Sequence, residues 1–394
     1  MPGNEDALVG LVAAGRRLAG TAAPHAPKSE TARRLTPEVA DAVVEAGFPR
    51  HFVPARWGGT EGTFAECVRA AAYTAEGDPS AAWVASVVAS LGRMATYLPE
   101  AGQRALWQAT PDTFIACGLV ASGTAVEEDD GWRVSGVWQY VSGVHFSDWA
   151  LVACPVPAGD AGHEVRFLLV PRSAYTAEDS WFTVGMRATG SDSLRIEGAF
   201  VPREYSFPRG ALLAGTPPEG APRASAVPLR AVSGLTFAGP VLGAARGALR
   251  AFGADLAQRR ASGPGHRVLA GNDAAARTAL ARGLARTEAA GLLLDQAAAA
   301  ADGGVGPGTD TARLALHHAV AAELLADTVQ DVLRLSGTSS HDQQAPLQRF
   351  WRDATTAASH AVLRLEPAGR EYVDALVAAD AFGGAHTEEG EAGR

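Results

Sequence analysis

Between residues 113 and 212 the texture of this chain changes, and that change limits what it can fold into. Up to about residue 112 Ala, Glu and Arg are dense, as in VADAVVEAGF and AECVRAAAYTAEG, the composition of helices. Turn formers interrupt them at Val53-Pro54-Ala55-Arg56-Trp57-Gly58-Gly59, and Asp78-Pro79 supplies a cap and a first-turn proline for the next helix. Then come short β-rich runs: FIACGLV, WRVSGVWQYV, WALVACPV, EVRFLLV and SLRIEGAFV. Turn residues such as Glu127-Glu128-Asp129-Asp130-Gly131 separate them, which reads as a compact antiparallel β domain.

After a Pro/Gly-rich stretch over 213–228 the helical pattern returns. Leu235, Ala238, Leu242, Ala245, Leu249, Phe252 and Leu256 recur at three- or four-residue steps and make one apolar stripe. A second helix is expected after Asn272 or Asp273, and a third after Asp310, running to a cap at Gly337. A fourth opens at Pro346 and carries Phe350, Trp351 and His360. The expected fold class is therefore α+β: an N-terminal helical domain over 1–112, a middle antiparallel β domain over 113–222, a C-terminal four-helix bundle over 223–381, and a disordered tail over 382–394.

Composition narrows the function classes. The net charge of -9, with no basic cluster, argues against a nucleic-acid surface. No run of about 18 apolar residues exists to span a membrane, and the N-terminus MPGNEDALVG lacks the pattern of a signal peptide. The three cysteines (Cys67, Cys117, Cys154) are far apart and read as buried small side chains in a reducing compartment, so a cytoplasmic protein is expected. His317-His318 is a poor metal site, because adjacent helical residues point about 100° apart; no metal is expected.

Several stretches, in order and across nearly the whole chain, resemble the acyl-CoA dehydrogenase superfamily. They are Val53-Pro54 through Gly58-Gly59, Gly136-Val137-Trp138-Gln139-Tyr140-Val141-Ser142-Gly143, Trp181 with Gly185-Met186-Arg187-Ala188-Thr189, Val201-Pro202 and Arg352-Asp353-Ala354. The resemblance implies a test of the dehydrogenase chemistry, which needs a carboxylate to remove a proton α to a thioester. The position where many members carry that Glu, eight after Asp353, holds Ala361, next to His360. The alternative position lies on the first bundle helix, yet Leu229 to Ala254 contains no Asp or Glu.

What remains is similar to the flavin monooxygenase branch of this fold. Its Trp-x-x-x-Ser-Gly strand is matched from Trp138 to Gly143, and its His on the last helix by His360. The resemblance implies reduced FMN or FAD delivered by a separate flavin reductase, molecular oxygen as co-substrate, and a C4a-hydroperoxyflavin that oxygenates a small molecule. It also implies a homotetramer. The dehydrogenases' firm FAD contacts are depleted: their Arg-x-x-Phe-Gly turn reads Arg259-Arg260-Ala261-Ser262-Gly263, and the segment matching their Gln and Gly-rich turn reads Arg334, then Gly337-Thr338-Ser339-Ser340. Fewer such contacts suit a flavin that comes and goes.

The catalytic candidates are His360 and Ser142. A His near the reactive flavin edge can donate a hydrogen bond or stabilise charge. Asp353 and Thr356 lie seven and four residues before it, on one face if the helix continues. Ser142 offers a hydroxyl and a backbone N–H, against the plain reading of a Ser-Gly turn. Cofactor-binding candidates are Leu119, Ser122, Gly123, Thr124, Val141, Ser142, Arg259, Arg334, Gly337 and Thr338. Some relatives also place a His on the helix after the Trp83 region; here VVASLGRMATY has none, and Ser90, Arg93 and Tyr97 are the polar residues nearby. The leading expectation is hydroxylation of an aromatic or polyketide-like molecule. The alternatives are N-oxygenation of an amino sugar or amine, which would want carboxylates in the pocket, and an acyl-CoA dehydrogenase with a displaced base.

Overall fold

The computed structural model describes residues 10–158, 162–261, 270–306 and 308–381, with the side chains of 259–261 and 270–273 left out. The tail expected over 382–394 and the turn 262–263 lie outside the described residues. The first helices are α1 (Leu11–Ala32), α2 (Pro37–Glu45), α3 (Phe64–Ala75), α4 (Pro79–Ala95) and α5 (Glu100–Trp107). Local chemistry sets their starts. Thr63 and Glu66 form a reciprocal capping box on α3. The Asp78 carboxylate accepts the Ser80 and Ala81 amides at 2.9 and 3.4 Å, and Pro79 opens α4.

Eight strands follow: β1 (Ile115–Gly118), β2 (Thr124–Glu128), β3 (Gly131–Trp138), β4 (Trp149–Pro157), β5 (His163–Pro171), β6 (Thr176–Glu178), β7 (Ser193–Pro202) and β8 (Ser206–Pro208). They form two four-stranded sheets, β1-β4-β5-β8 and β2-β3-β7-β6. Alternation along β4 shows how the layers stack. Ala150 and Val152 pack with Val134, Trp138 and Ile196 of the second sheet. Leu151 and Ala153 face the other way, onto Leu91, Met94 and Trp107. The first sheet is thus sandwiched between the second sheet and helices α4 and α5. One pairing departs from the all-antiparallel expectation: β1 and β4 are parallel. The β2–β3 hairpin lies between them in sequence and belongs to the opposite sheet, so the chain crosses over and returns in the same direction.

A short α6 (Arg209–Ala214) leads through the Pro/Gly-rich stretch into α7 (Leu229–Ala261), α8 (Ala270–Gly303), α9 (Thr309–Leu335), α10 (Pro346–Ala358) and α11 (Leu365–Ala378). Six members of the predicted α7 stripe, Leu235 through Phe252, are buried, and Leu256 is partly so. Gly234 lets α9 approach α7, since a Cβ there would sit 2.3 Å from His318 Nδ1. The Pro/Gly-rich stretch is tied down from α4: Arg93 donates to the carbonyls of Ala224 and Val227, and Tyr97 to that of Ser225. Arg93 and Tyr97 are therefore structural.

Two expectations about the C-terminal helices change. α8 begins at Ala270, earlier than Asn272. α10 stops at Ala358 rather than carrying His360, and a further helix, α11, follows. Side chains compete with the helix at that point. The Ser359 hydroxyl donates to the Thr356 carbonyl at 2.7 Å, and His360 Nδ1 accepts the Val362 amide at 3.4 Å, starting a tight turn over Ala361–Leu363. His360 therefore sits in extended backbone and does not share a helical face with Asp353 and Thr356.

Candidate active site

A cavity of about 850 Å³ opens where α4, the end of β3, α7 and the turn after α10 converge. One end is polar and wired. The chain leaves β3 at Trp138, whose indole donates to the Ala153 carbonyl at 2.8 Å and is buried away from the cavity. Gln139, Tyr140 and Ser142 then line the cavity. Tyr140 is held at φ 62, a conformation costly for a non-glycine residue; the residue is 67% exposed and its ring lies edge-on to Trp181 at 6.1 Å.

Ser142 Oγ accepts from Trp83 Nε1 at 3.1 Å and lies 2.8 Å from Ser191 Oγ. Ser191 Oγ is 2.7 Å from Thr189 Oγ1, which donates to the Met186 carbonyl at 2.8 Å. The indole is only a donor and the carbonyl only an acceptor, so the protons run in order from Trp83 through Ser142, Ser191 and Thr189 to Met186. The Met186 amide in turn donates to Asp353 Oδ1 at 2.6 Å. Gly185 makes this docking possible, because a Cβ there would lie 2.1 Å from the Arg352 carbonyl of α10. Burial pushes the Asp353 carboxyl up to about 7. The hydroxyl chain is thus anchored to the helix that delivers His360.

His360 stacks on Phe237 of α7 at 4.0 Å and meets Trp83 edge-on at 5.6 Å. Burial pushes its imidazole down to about 4, so it is neutral at pH 7. Nδ1 accepts the Val362 amide, which places the remaining ring proton on Nε2. Nε2 has no hydrogen-bond partner among the described residues, and His360 lines the cavity. His145 is bound to Asp192 at 2.7 Å instead. Burial opposes ionisation of Asp192, yet hydrogen bonds from His145 and the amides of Ser180 and Trp181 hold its carboxyl below the usual range. Asp192 thereby fixes the loop next to Ser191.

The other end is apolar, formed by Val87, Leu91 and Met94 of α4 with Phe167 and Leu213, and Leu119 and Val120 also line the cavity. Ser90 and Thr236 satisfy each other at 2.7 Å. Of the candidates named from sequence, the cavity brings together Leu119, Ser142 and His360. Ser122, Gly123, Thr124 and Val141 do not line it: Ser122 Oγ donates to the Val137 carbonyl, Gly123 turns at φ 75 beside Trp138, Thr124 opens β2, and Val141 is fully buried. Arg334, Gly337 and Thr338 are exposed at the end of α9, away from the cavity lining. The Arg259 side chain lies outside the described residues. Sequence reasoning missed Trp83, Thr189, Ser191 and Phe237. Thr189 stands in the Gly185–Thr189 segment already singled out; Phe237 reads in sequence only as one more apolar helical residue.

Residues 235–365 match the acyl-CoA dehydrogenase C-terminal domain family. The oxygenase component of FADH(2)-dependent resorcinol hydroxylase from Rhizobium sp. is 30% identical over 378 residues, covering 90% of this chain and 91% of that protein. The chain belongs to the flavin-dependent monooxygenases of the acyl-CoA dehydrogenase fold. The flavin-dependent monooxygenase oxygenase subunit HsaA of Mycobacterium tuberculosis is 29% identical over 346 residues, with 85% and 87% coverage. Among solved structures, 3-HSA hydroxylase from Rhodococcus sp. RHA1 superposes with a TM-score of 0.88 at 25% identity, covering 94% of this monooxygenase and 97% of that chain. XiaF from Streptomyces sp., in complex with FADH2 and glycerol, gives 0.81 at 25%, with 93% and 95% coverage.

Proposed function

We propose that this monooxygenase is the oxygenase component of a two-component system and hydroxylates an aromatic small molecule with reduced FMN or FAD and molecular oxygen. A separate flavin reductase supplies the reduced flavin. The single observation that carries the substrate reading is the composition of the cavity wall. Among the described residues its lining contains aromatic and aliphatic side chains, hydroxyls and two arginines, but no Asp or Glu. A cationic amine would find no counter-charge there, and the α-proton of a thioester would find no carboxylate base. Both alternatives are weakened on that ground.

The polar end fits an isoalloxazine ring. About 850 Å³ holds a planar ring and a substrate together. The unpartnered Nε2–H of His360 supplies a donor and the Ser142 oxygen, whose own proton goes to Ser191, a remaining acceptor for its polar edge, while Trp181 supplies an aromatic wall. A reduced flavin held there would supply the oxygen-activating chemistry. The protein's own work is positioning and exclusion of water. His360 donates one hydrogen bond from Nε2 where oxygen reacts, Ser142 aligns the ring, and Phe237 and Trp83 keep the space dry. Leu91 and Met94 present the substrate's apolar body.

A homotetramer is the proposed assembly, in which exposed Leu284 and Leu292 of α8 and Val373 and Val377 of α11 are covered by neighbouring copies. The experiment that tests the function is product analysis under labelled oxygen with a generic flavin reductase. One labelled oxygen atom per hydroxylated aromatic product is expected. Unlabelled product, or desaturation of an acyl thioester, contradicts the reading.

A further inference from the structure

The two arginines on the cavity wall are not equivalent. Arg230 of α7 is held by Glu371 of α11, its Nε donating to the carboxylate at 2.9 Å. Its charge is locally balanced. Arg209 opens α6 directly after β8, which pairs at the sheet edge with Arg166 and Phe167 of β5. Its side chain lines the cavity and is half-buried. No carboxylate, carbonyl or aromatic ring among the described residues partners it, and no Asp or Glu lines the cavity with it. The chain as a whole carries a net charge of -9, so an unbalanced cation on this wall is a local inversion of sign. Its helix, α6, packs against β5 and α7, and Leu213 of α6, Phe167 of β5 and Leu229 of α7 line the cavity with it. They belong to the elements that make the apolar end, whereas Ser142, Ser191 and His360 make the other.

We infer that Arg209 is a substrate-specificity residue, which binds an anionic substituent, a carboxylate, on the aromatic molecule that this enzyme hydroxylates. The inference rests on the oxygenase reading above. A guanidinium presents a planar fork of N–H donors that matches a carboxylate with two parallel hydrogen bonds. In a half-buried apolar setting such a pair discriminates strongly against a neutral analogue, because the analogue leaves the cation unpaired. The geometry also gives the substrate a direction: its charged group points toward α6, and the carbon to be oxygenated points toward His360. The same anion chemistry could come from the flavin phosphate, so the test separates the two sources.

The test uses the full chain, wild type and Arg209→Met, and measures dissociation constants by calorimetry for three matched probe pairs. These are indole-3-acetate, 4-hydroxyphenylacetate and naphthalene-2-carboxylate, each against its primary amide. The wild type is expected to prefer at least one carboxylate over its amide by about 10- to 100-fold, the span of a charge-assisted hydrogen bond. Arg209→Met is expected to lose that preference while binding the amide as before. Absence of any carboxylate preference in the wild type, or its survival in the variant, overturns the inference. FMN and riboflavin are titrated in parallel. A variant that weakens FMN but not riboflavin assigns Arg209 to the flavin phosphate and overturns the inference too. Reoxidation of reduced flavin by oxygen, followed without any aromatic probe, reads the oxygenase assignment separately. If the variant keeps wild-type reoxidation kinetics but no carboxylate preference exists, only the Arg209 inference falls.

Discussion

The two ends of the cavity are built in different ways. The end beside Ser142 and His360 is fixed by a continuous set of hydrogen bonds, from Trp83 through three hydroxyls to Met186 and on to Asp353. The end beside Leu91, Met94 and Phe167 is fixed only by packing in the core shared by α4, α5 and the first sheet. Directional bonds hold a reacting geometry within narrow limits, and apolar packing accepts a range of shapes. Under the proposed function, reaction type is set at the wired end and substrate choice at the apolar one. Variants at the two ends should therefore affect different observables.

The largest effect should come from His360→Ala. The variant should fold, since the ring is held by stacking at a loop rather than inside a helix. Product formation should fall by about 10²–10³, the usual value of an oriented donor, while reduced flavin is still consumed and hydrogen peroxide accumulates. Because the folded imidazole titrates near about 4, below its ordinary 6.5, it stays neutral through the physiological range. The His360 contribution to coupling should therefore show no break near 6.5 and should be lost only as pH approaches 4, whereas the Asp353 carboxyl, pushed up to about 7, is read separately in Asp353→Asn. Linkage has the matching sign: between those values the unfolded chain takes up the proton and the folded one does not, so this residue lowers stability as pH falls through that window. Normal product yield in the variant, or a break in coupling near 6.5 that persists in Asp353→Asn, would contradict the role.

Ser142→Ala comes next. It interrupts the hydroxyl chain and removes one neutral hydrogen bond, so flavin affinity should weaken by about three- to tenfold. Substrate affinity measured with flavin already saturating should not move. Equal losses in both would mean the two ends are not separable. The smallest effect belongs to the apolar wall. Val87→Ala should raise the apparent KM for substrate by about fourfold per methylene removed, with the reaction of reduced flavin with oxygen unchanged.

Two residues of the wired end, Ser142 and His360, are singled out in the sequence and line the cavity. They stand out through the run Trp138 to Gly143 and the position of His360 after Arg352-Asp353-Ala354, although β3 itself ends at Trp138. The helix–sheet–helix order is likewise written in periodicity and turn formers. The end of α10 was not legible: nothing in DATTAASHAV signals that Ser359 and His360 would turn their side chains onto the backbone. The β1–β4 parallel pairing was hidden as well, since strand direction depends on which sheet the intervening hairpin joins. The partners of Ser142 arrive from 59 and 49 residues away. The apolar end is the least readable, because Leu91 and Met94 differ in no local way from core residues that line nothing.

The central claim is that this chain holds a reduced flavin in a dry, hydrogen-bonded pocket until oxygen is used on a substrate. Stopped-flow mixing of the protein, loaded anaerobically with reduced FMN or FAD, against oxygenated buffer tests it most directly. The account predicts rapid reaction with oxygen followed by a distinct lag before the absorbance of oxidised flavin returns, with the lag shortened in His360→Ala. Immediate return of oxidised flavin in the wild type, at the rate of reduced flavin free in solution, would contradict it.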